Sequence, residues 1–177
     1  YGIETNLDYL RQIACSADFL EGKMLTSTLA GFAGNSAAID VVSPGALSSI
    51  QDYPGRIGYW DVGVPPSGPM DPLSHRLANR LVGNAEDAPA LEMTLMGPTL
   101  AFRRDAVIAL TGADMEPTLD GERVPLWQAV EVKSGQTLAL GQVRGEGQRA
   151  YLAIRNGFDV PDYLGSRSTF TLGQFGG

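Results

Sequence analysis

The chain reads as a mainly β domain, a barrel or sandwich with one good helix, preceded by a short helical tail. Three observations predict this. Short alternating or wholly apolar runs recur between residues 39 and 154, divided by glycine, proline and aspartate turns. Only the segment from Asp71 to Gly83 carries a full set of helix start and stop signals within that region. The stretch Ala30-Gly31-Phe32-Ala33-Gly34-Asn35-Ser36 is small and glycine-rich, the composition of a linker, and divides residues 1–34 from residues 35–177.

In chain order, Asn6 caps a helix whose Leu7, Leu10 and Ile13 share a face, with Ala14 beside them. A second turn is expected near Asp18 to Gly22, and the 34-residue tail is too small to bury a core of its own. Beyond the linker, strands are expected at Ile39–Val42, at Ala46–Ile50 and where Leu91, Met93 and Leu95 alternate with Glu92 and Thr94. Leu100 and Phe102 continue the pattern, and Ala106–Leu110 is apolar throughout, as in a strand buried on both faces. Asp120-Gly121 predicts a hairpin between Pro117–Leu119 and Val124–Leu126. Ser134-Gly135 predicts another, joining Val130/Val132 to Leu138/Leu140, and Ala150–Ile154 forms a late core strand.

Residues 43–84 are the organising stretch, with six of the eleven prolines, six of the twenty-two glycines and the single histidine, His75. A backbone of that composition is shaped to hold polar side chains in set positions. Asp71 is a good N-cap, Pro72 suits the first helical position and Gly83 the stop. Leu73, Leu77 and Leu81 give the helix one apolar stripe, with Asp71, His75 and Asn79 on a neighbouring face. His75, off the stripe, is expected to be solvated or bonded to Asp71. Asp71 has two roles open to it, capping the helix and presenting a carboxylate that orients an amide-type nucleophile. Gln51, Asp52 and Arg56 flank the tight turn Tyr53-Pro54-Gly55, where they either lock the loop or serve as amide recogniser and anion clamp. The run Asn156-Gly157-Phe158-Asp159, with Gly165-Ser166-Arg167-Ser168-Thr169, is either turn and strand start or a cradle for a ureido or carboxylate group.

Composition sets bounds on function. A net charge of −7 argues against nucleic-acid or anionic-membrane surfaces as partners. The longest aliphatic run, Ala106–Leu110, is far short of a membrane span. The lone Cys15 excludes an intrachain disulfide, pointing to a reducing, cytoplasmic compartment, and one cysteine with one histidine makes no transition-metal site.

The motifs Gln51-Asp52-Tyr53-Pro54-Gly55-Arg56, Gly63-Val64-Pro65-Pro66-Ser67-Gly68-Pro69-Met70-Asp71 and Ala78-Asn79-Arg80-Leu81-Val82-Gly83-Asn84 resemble the family of allophanate hydrolase subunit 2. That family includes the carboxyltransferase region of urea carboxylases and a component of 5-oxoprolinase. The likeness continues through Ala109–Ala113, Arg149–Leu152, Phe158–Pro161 and Leu164–Thr169, and so covers residues 38–177. It departs at Asn156-Gly157, where the commoner pattern is Gly-Gly; asparagine is the non-glycine residue best suited to positive φ, so the turn is expected to survive. Residues 1–34, opening on Gly2-Ile3-Glu4-Thr5-Asn6, resemble the C-terminal end of a biotin carboxylase domain.

The resemblance implies a cyclophilin-like β-barrel and a place in a larger biotin-dependent enzyme. It implies carboxyl transfer from carboxybiotin to urea, with ATP and bicarbonate used by a biotin carboxylase domain and biotin held on a separate carrier domain. That chemistry needs a urea nitrogen positioned, its proton removed and charge on the ureido oxygen stabilised, so Asp71 is expected as catalytic residue and Gln51, Asp52, Arg56, Gly157, Asp159, Ser166 and Thr169 as substrate-binding residues. The chain is read as a piece of that enzyme, expected to be inactive alone because a second, homologous half completes the site. Guanidine carboxylation, a 5-oxoprolinase component and a non-catalytic regulator that binds a kinase inhibitor are the alternatives within the same resemblance.

Overall fold

The computed structural model describes residues 13–14, 17–23 and 38–177. The expected helix after Asn6 and the linker fall almost wholly outside them. The chain divides into two compact units, Tyr1–Ala38 and Ile39–Gly177. In the first, a short helix α1 (Ala17–Leu20) ends where the Gly22 amide, at φ 69°, donates to the Phe19 carbonyl.

The second unit is mainly β, with ten strands in two five-stranded sheets whose pairings are all antiparallel. One sheet runs β1 (Ile39–Ser43), β4 (Thr99–Phe102), β9 (Thr137–Ala139), β6 (Thr118–Leu119), β7 (Glu122–Arg123). The other runs β2 (Leu47–Gln51), β3 (Ala90–Thr94), β10 (Arg149–Ile154), β5 (Ala106–Gly112), β8 (Ala129–Val132). Met93, Ile108, Leu110 and Leu152 of the second sheet pack with Leu100, Phe102 and Leu138 of the first in one core. Among the described residues, no helix is long and apolar enough to cross a membrane.

Of the two expected hairpins, the one at Asp120-Gly121 forms with a nearer returning strand, and the one at Ser134-Gly135 does not form. After Asp120-Gly121 the returning strand is Glu122–Arg123; Val124 lies beyond it, its amide bonded to the Pro117 carbonyl. Around Ser134-Gly135 the two strands do not pair at all, because β8 lies against β5 while β9 lies between β4 and β6. The turn is anchored elsewhere. Ser134 donates its amide to Asp105 and its hydroxyl to the Arg103 carbonyl, and Gly135 donates to the Phe102 carbonyl. A two-residue turn signal cannot say which sheet claims each flanking strand.

The helix α2 (Pro72–Val82) forms where its punctuation predicts, but it buries a different face. Leu73 is 65% exposed, while Ser74, His75, Ala78, Asn79 and Val82 are buried against the outer face of the second sheet. The reason lies in the sheet. Along β10, Leu152 and Ile154 point to the core while Tyr151 and Ala153 point outward, and along β5 the same alternation turns Ala109 toward the helix. With Ala90, these small residues let the helix approach on its own small and polar side. Apart from His75 Nδ1, the polar side chains so buried find partners. The Thr111 hydroxyl donates to the Ser74 carbonyl, and Asn79 donates to the Ala88 carbonyl while accepting from Asn84.

His75 is therefore neither solvated nor bonded to Asp71. It is wholly buried, with Nε2 3.0 Å from the Gln51 carbonyl and its ring edge-on to Tyr151 at 5.9 Å. The carbonyl requires Nε2 to carry the hydrogen, which leaves Nδ1 a buried acceptor without a hydrogen-bond partner. Burial holds the imidazole below its ordinary value of 6.5, against the raising effect of the Gln51 carbonyl and the charges of Asp52 and Glu92. The unfolded chain thus takes up a proton near pH 6.5 that the folded chain refuses. Stability is expected to fall as pH drops through the ordinary imidazole range near 6.5, with a slope of at most about 1.4 kcal/mol per unit. A His75→Gln variant, which keeps a donor for Gln51, is expected to flatten that slope in thermal melts. A parent protein whose stability does not change as pH falls through that range contradicts the neutral, buried assignment.

Candidate active site

The loop Gly63–Met70 delivers Asp71 to the start of α2, and its shape depends on close backbone approach. At Gly55, φ is 91° and a Cβ would lie 1.8 Å from the Ser67 carbonyl oxygen, so no other residue fits. Across that contact Gly68 donates its amide to Gln51 Oε1 at 3.0 Å. Two further amides are captured at the loop's end. Met70 donates to Glu92 Oε2 at 2.8 Å, and Asp71 donates to the Tyr151 hydroxyl at 2.7 Å.

Asp71 caps the helix, as its sequence position predicts. Its Oδ1 accepts from the amides of Leu73 (3.0 Å) and Ser74 (3.1 Å), and its Oδ2 accepts from the Ser74 hydroxyl at 2.5 Å. A carboxylate offers about four acceptor positions, so three bonds leave one on Oδ2. Asp71 is exposed and lines a cleft of about 430 Å³ together with Met70, Ser74, Ala113, Trp127 and Arg149. Trp127 is 46% exposed and holds φ at 63°, a conformation that costs a bulky residue about 1–2 kcal/mol. Its amide is tied to the Leu110 carbonyl at 2.8 Å. The cleft therefore brings a carboxylate, a hydroxyl and an exposed indole into one lining, with Glu146 and Arg149 also on its wall.

Five of the other expected site residues meet in a second, closed cluster. Asp52 Oδ1 accepts from the hydroxyls of Ser166 and Ser168, both at 2.6 Å, and Oδ2 accepts from the Arg167 amide at 2.7 Å. Thr169 pairs with β2, its amide donating to the Ile50 carbonyl and its hydroxyl accepting from the Ile50 amide. Gln51 also donates to Ser49 at 3.0 Å. Arg56 is 0% exposed and gives four hydrogen bonds, to the carbonyls of Tyr163, Ser166 and Ser168 and to the Ser67 hydroxyl. The face of its guanidinium rests 4.8 Å from the Phe175 ring centroid. Of the two roles open to Arg56, the geometry shows the lock. It has no surface open to an incoming anion, and it holds the loop through carbonyls and not through Asp52.

Gly157 and Asp159 follow the opposite end of β10 from Arg149, the end away from the cleft residues. Asn156 takes φ 74° and Gly157 φ 73°, so the turn survives the departure from Gly-Gly, with Asn84 bonded to the Asn156 amide and the Ile154 carbonyl. Asp159 is exposed. Glu92, Trp127, Tyr151 and Arg149 were not expected at a site. Glu92 and Tyr151 sit inside strands read as core, where only the pairing of β2, β3 and β10 reveals what they face.

This two-sheet domain, with a capped helix laid on one sheet and a carboxylate at its edge, has clear counterparts among known proteins. Residues 62–177 match the model of the carboxyltransferase domain, subdomain A and B, and the chain belongs to that family. It is 54% identical over 177 residues to urea amidolyase of Saccharomyces cerevisiae, covering 100% of this chain and 10% of that protein. It is 45% identical to a putative urea carboxylase of Emericella nidulans over 99% of this chain and 14% of that one. To a 5-oxoprolinase component of Escherichia coli it is 40% identical, over 74% of this chain and 42% of that one. The crystal structure of the K. lactis urea amidolyase superposes with a TM-score of 0.84 at 53% identity, over 99% of this chain and 11% of that structure. The chain thus spans about a tenth of the length of the urea amidolyases it matches.

Removing the Asp52 carboxylate strands several donors at once. Asp52→Ala is expected to lower stability by about 2–4 kcal/mol and to open residues 160–177 to limited proteolysis. A variant as stable and as protease-resistant as the parent shows that the cluster does not hold that segment.

Proposed function

We propose that this chain serves a biotin-dependent urea carboxylase, in the region where a carboxyl group passes from carboxybiotin to a urea nitrogen to give allophanate. The extent of the similarity carries this reading. The urea amidolyase and urea carboxylase relatives match essentially the entire chain, including residues before the carboxyltransferase domain, whereas the 5-oxoprolinase component matches 74% of it. Residues 1–34 then belong to the end of a biotin carboxylase domain that uses ATP and bicarbonate. A second half of the carboxyltransferase domain and a biotinylated carrier domain complete the assembly in the cytoplasm, and residues 1–177 alone do not catalyse transfer.

Carboxybiotin would supply an activated carboxyl group, and the residues that would hold its ureido ring in the cleft are Trp127, through its exposed indole, and Asp71 and Ser74, through their polar atoms. Urea is a poor nucleophile, so the chain's own residues must position one N–H and take up its charge. Asp71 does this with the free acceptor position on Oδ2, and Ser74 and the helix amides keep the carboxylate from turning away. When a urea nitrogen takes up the carboxyl group, Asp71 would accept its proton at the open position on Oδ2 and hold it for return to the biotin that has given up the carboxyl. Gln51 and Arg56 act at one remove, through Gly68 and Ser67 of the loop that ends at Asp71. Asp52, Ser166 and Thr169 hold the segment that encloses Arg56, and Gly157 and Asp159 keep a place at the other end of β10.

Asp71→Asn, in the full-length carboxylase, tests the reading. It retains most of the cap, so stability is expected to stay within about 1 kcal/mol of the parent. Allophanate formation is expected to fall about 100-fold while bicarbonate-dependent ATP cleavage persists. Transfer at the parent rate leaves Asp71 a helix cap only. Parallel assays with guanidine and with 5-oxoproline identify the acceptor, and inhibition by avidin is required of the biotin-dependent reading.

A further inference from the structure

We propose that Tyr151 and Glu92 form a positioning device that sets the angle of Asp71 for carboxyl transfer; this rests on the acceptor role proposed above for Asp71. The observations are geometric. Tyr151 is 0% exposed, on the strand at the centre of the second sheet, and its hydroxyl reaches outward to within one hydrogen bond of the Asp71 amide, at 2.7 Å. The same hydroxyl donates to Glu92 Oε2 at 2.7 Å, and that oxygen also accepts from the Met70 amide at 2.8 Å. Glu92 is itself oriented. Its side chain is 11% exposed, and its other oxygen lies 3.4 Å from Arg149 Nε, an ionic contact without an aligned hydrogen bond.

One carboxylate and one phenol thus fix two successive backbone amides, those of Met70 and Asp71, against a rigid sheet. An amide is an unusual point of control. The Asp71 side chain is already held at its tip by the cap, so fixing the backbone behind it removes the remaining freedom of the carboxylate. Burial and the neighbouring Glu92 push the Tyr151 hydroxyl above its ordinary value of 10.0, so it stays protonated and keeps donating to Glu92. The arrangement exceeds the needs of the helix, since the Asp71 amide precedes the first helical residue and the helix amides of Leu73 and Ser74 are capped without it. Neither Tyr151 nor Glu92 need touch a substrate to act.

A double-mutant cycle in the full-length carboxylase reads the coupling. Tyr151→Phe removes the hydroxyl and is expected to lower kcat for transfer about 10-fold, with KM for urea within about 2-fold and ATP cleavage unchanged. Combined with Asp71→Asn it is expected to cost nothing further, because a positioning group has no effect once the positioned carboxylate is gone. If Tyr151→Phe does not fold, Glu92→Gln keeps the volume and an acceptor oxygen but loses the charge, and the same lack of additivity is expected from a loss of about 3-fold. If the factors multiply, or if either single variant transfers carboxyl at the parent rate, the positioning role is refuted while a slow Asp71→Asn still upholds the acceptor role. A silent Asp71→Asn refutes the acceptor role and the positioning role together.

Discussion

The hydrogen bond between the Tyr151 hydroxyl and the Asp71 amide joins the two halves of the domain's design. β10 is flanked on both sides by paired strands, so Tyr151 stands on the least movable part of the second sheet. From there it reaches the one backbone group at which an irregular loop becomes a helix. Around that contact, His75 lies edge-on to the phenol and anchors α2 to the last residue of β2. The helix, the edge strand and the loop are therefore all referred to one side chain. A short alternating strand supplies that stiffness because one face of it meets the core and the other meets the helix.

On the far side of β2, polar burial takes the place that apolar burial has in the core. Residues 155–177 contain no strand of either sheet, and Tyr163 and Phe170 pack against Phe175 at ring separations of 4.7 and 5.3 Å. What fixes the segment is Asp52 and Arg56, four positions apart on a tight turn, each surrounded by partners more than a hundred residues away. A buried guanidinium without a carboxylate is tolerable because protein oxygens replace its lost water at four of its five donors, with an aromatic face behind it. The same arginine bonds Ser67, so the C-terminal segment and the loop leading to Asp71 are held by a single group.

The exposed Leu73 of α2 follows from the same logic. A helix that lies on alanines approaches closely only with a small face, and here that face is Ser74, Ala78 and Val82. Leu73 is left outside, as is Met70, which is 67% exposed at the rim of the cleft.

By itself, the sequence determined what rests on local chemistry. Asp71, Pro72 and Gly83 marked the helix ends because capping, a preset φ and a left-handed stop are properties of single residues. The strand runs were legible because an alternating or wholly apolar stretch has few other uses, and Asn156 kept its turn because asparagine tolerates positive φ. The family was legible in spaced motifs of the same kind. Only tertiary structure decided which partner each group found. The leucine stripe could not predict a burial face set by alanines on other strands, and the Ser134-Gly135 turn could not show that its flanking strands join different sheets. Arg56, Asp52 and Gln51 were visible as polar residues on a rigid turn, but whether they face a ligand or a loop depends on residues 163–169 folding back across β2. Tyr151 and Glu92 carried local marks of a strand but none of a place at the site. A strand reveals which of its polar groups reach a site only when its neighbours are in register, and register is a property of the assembled sheet.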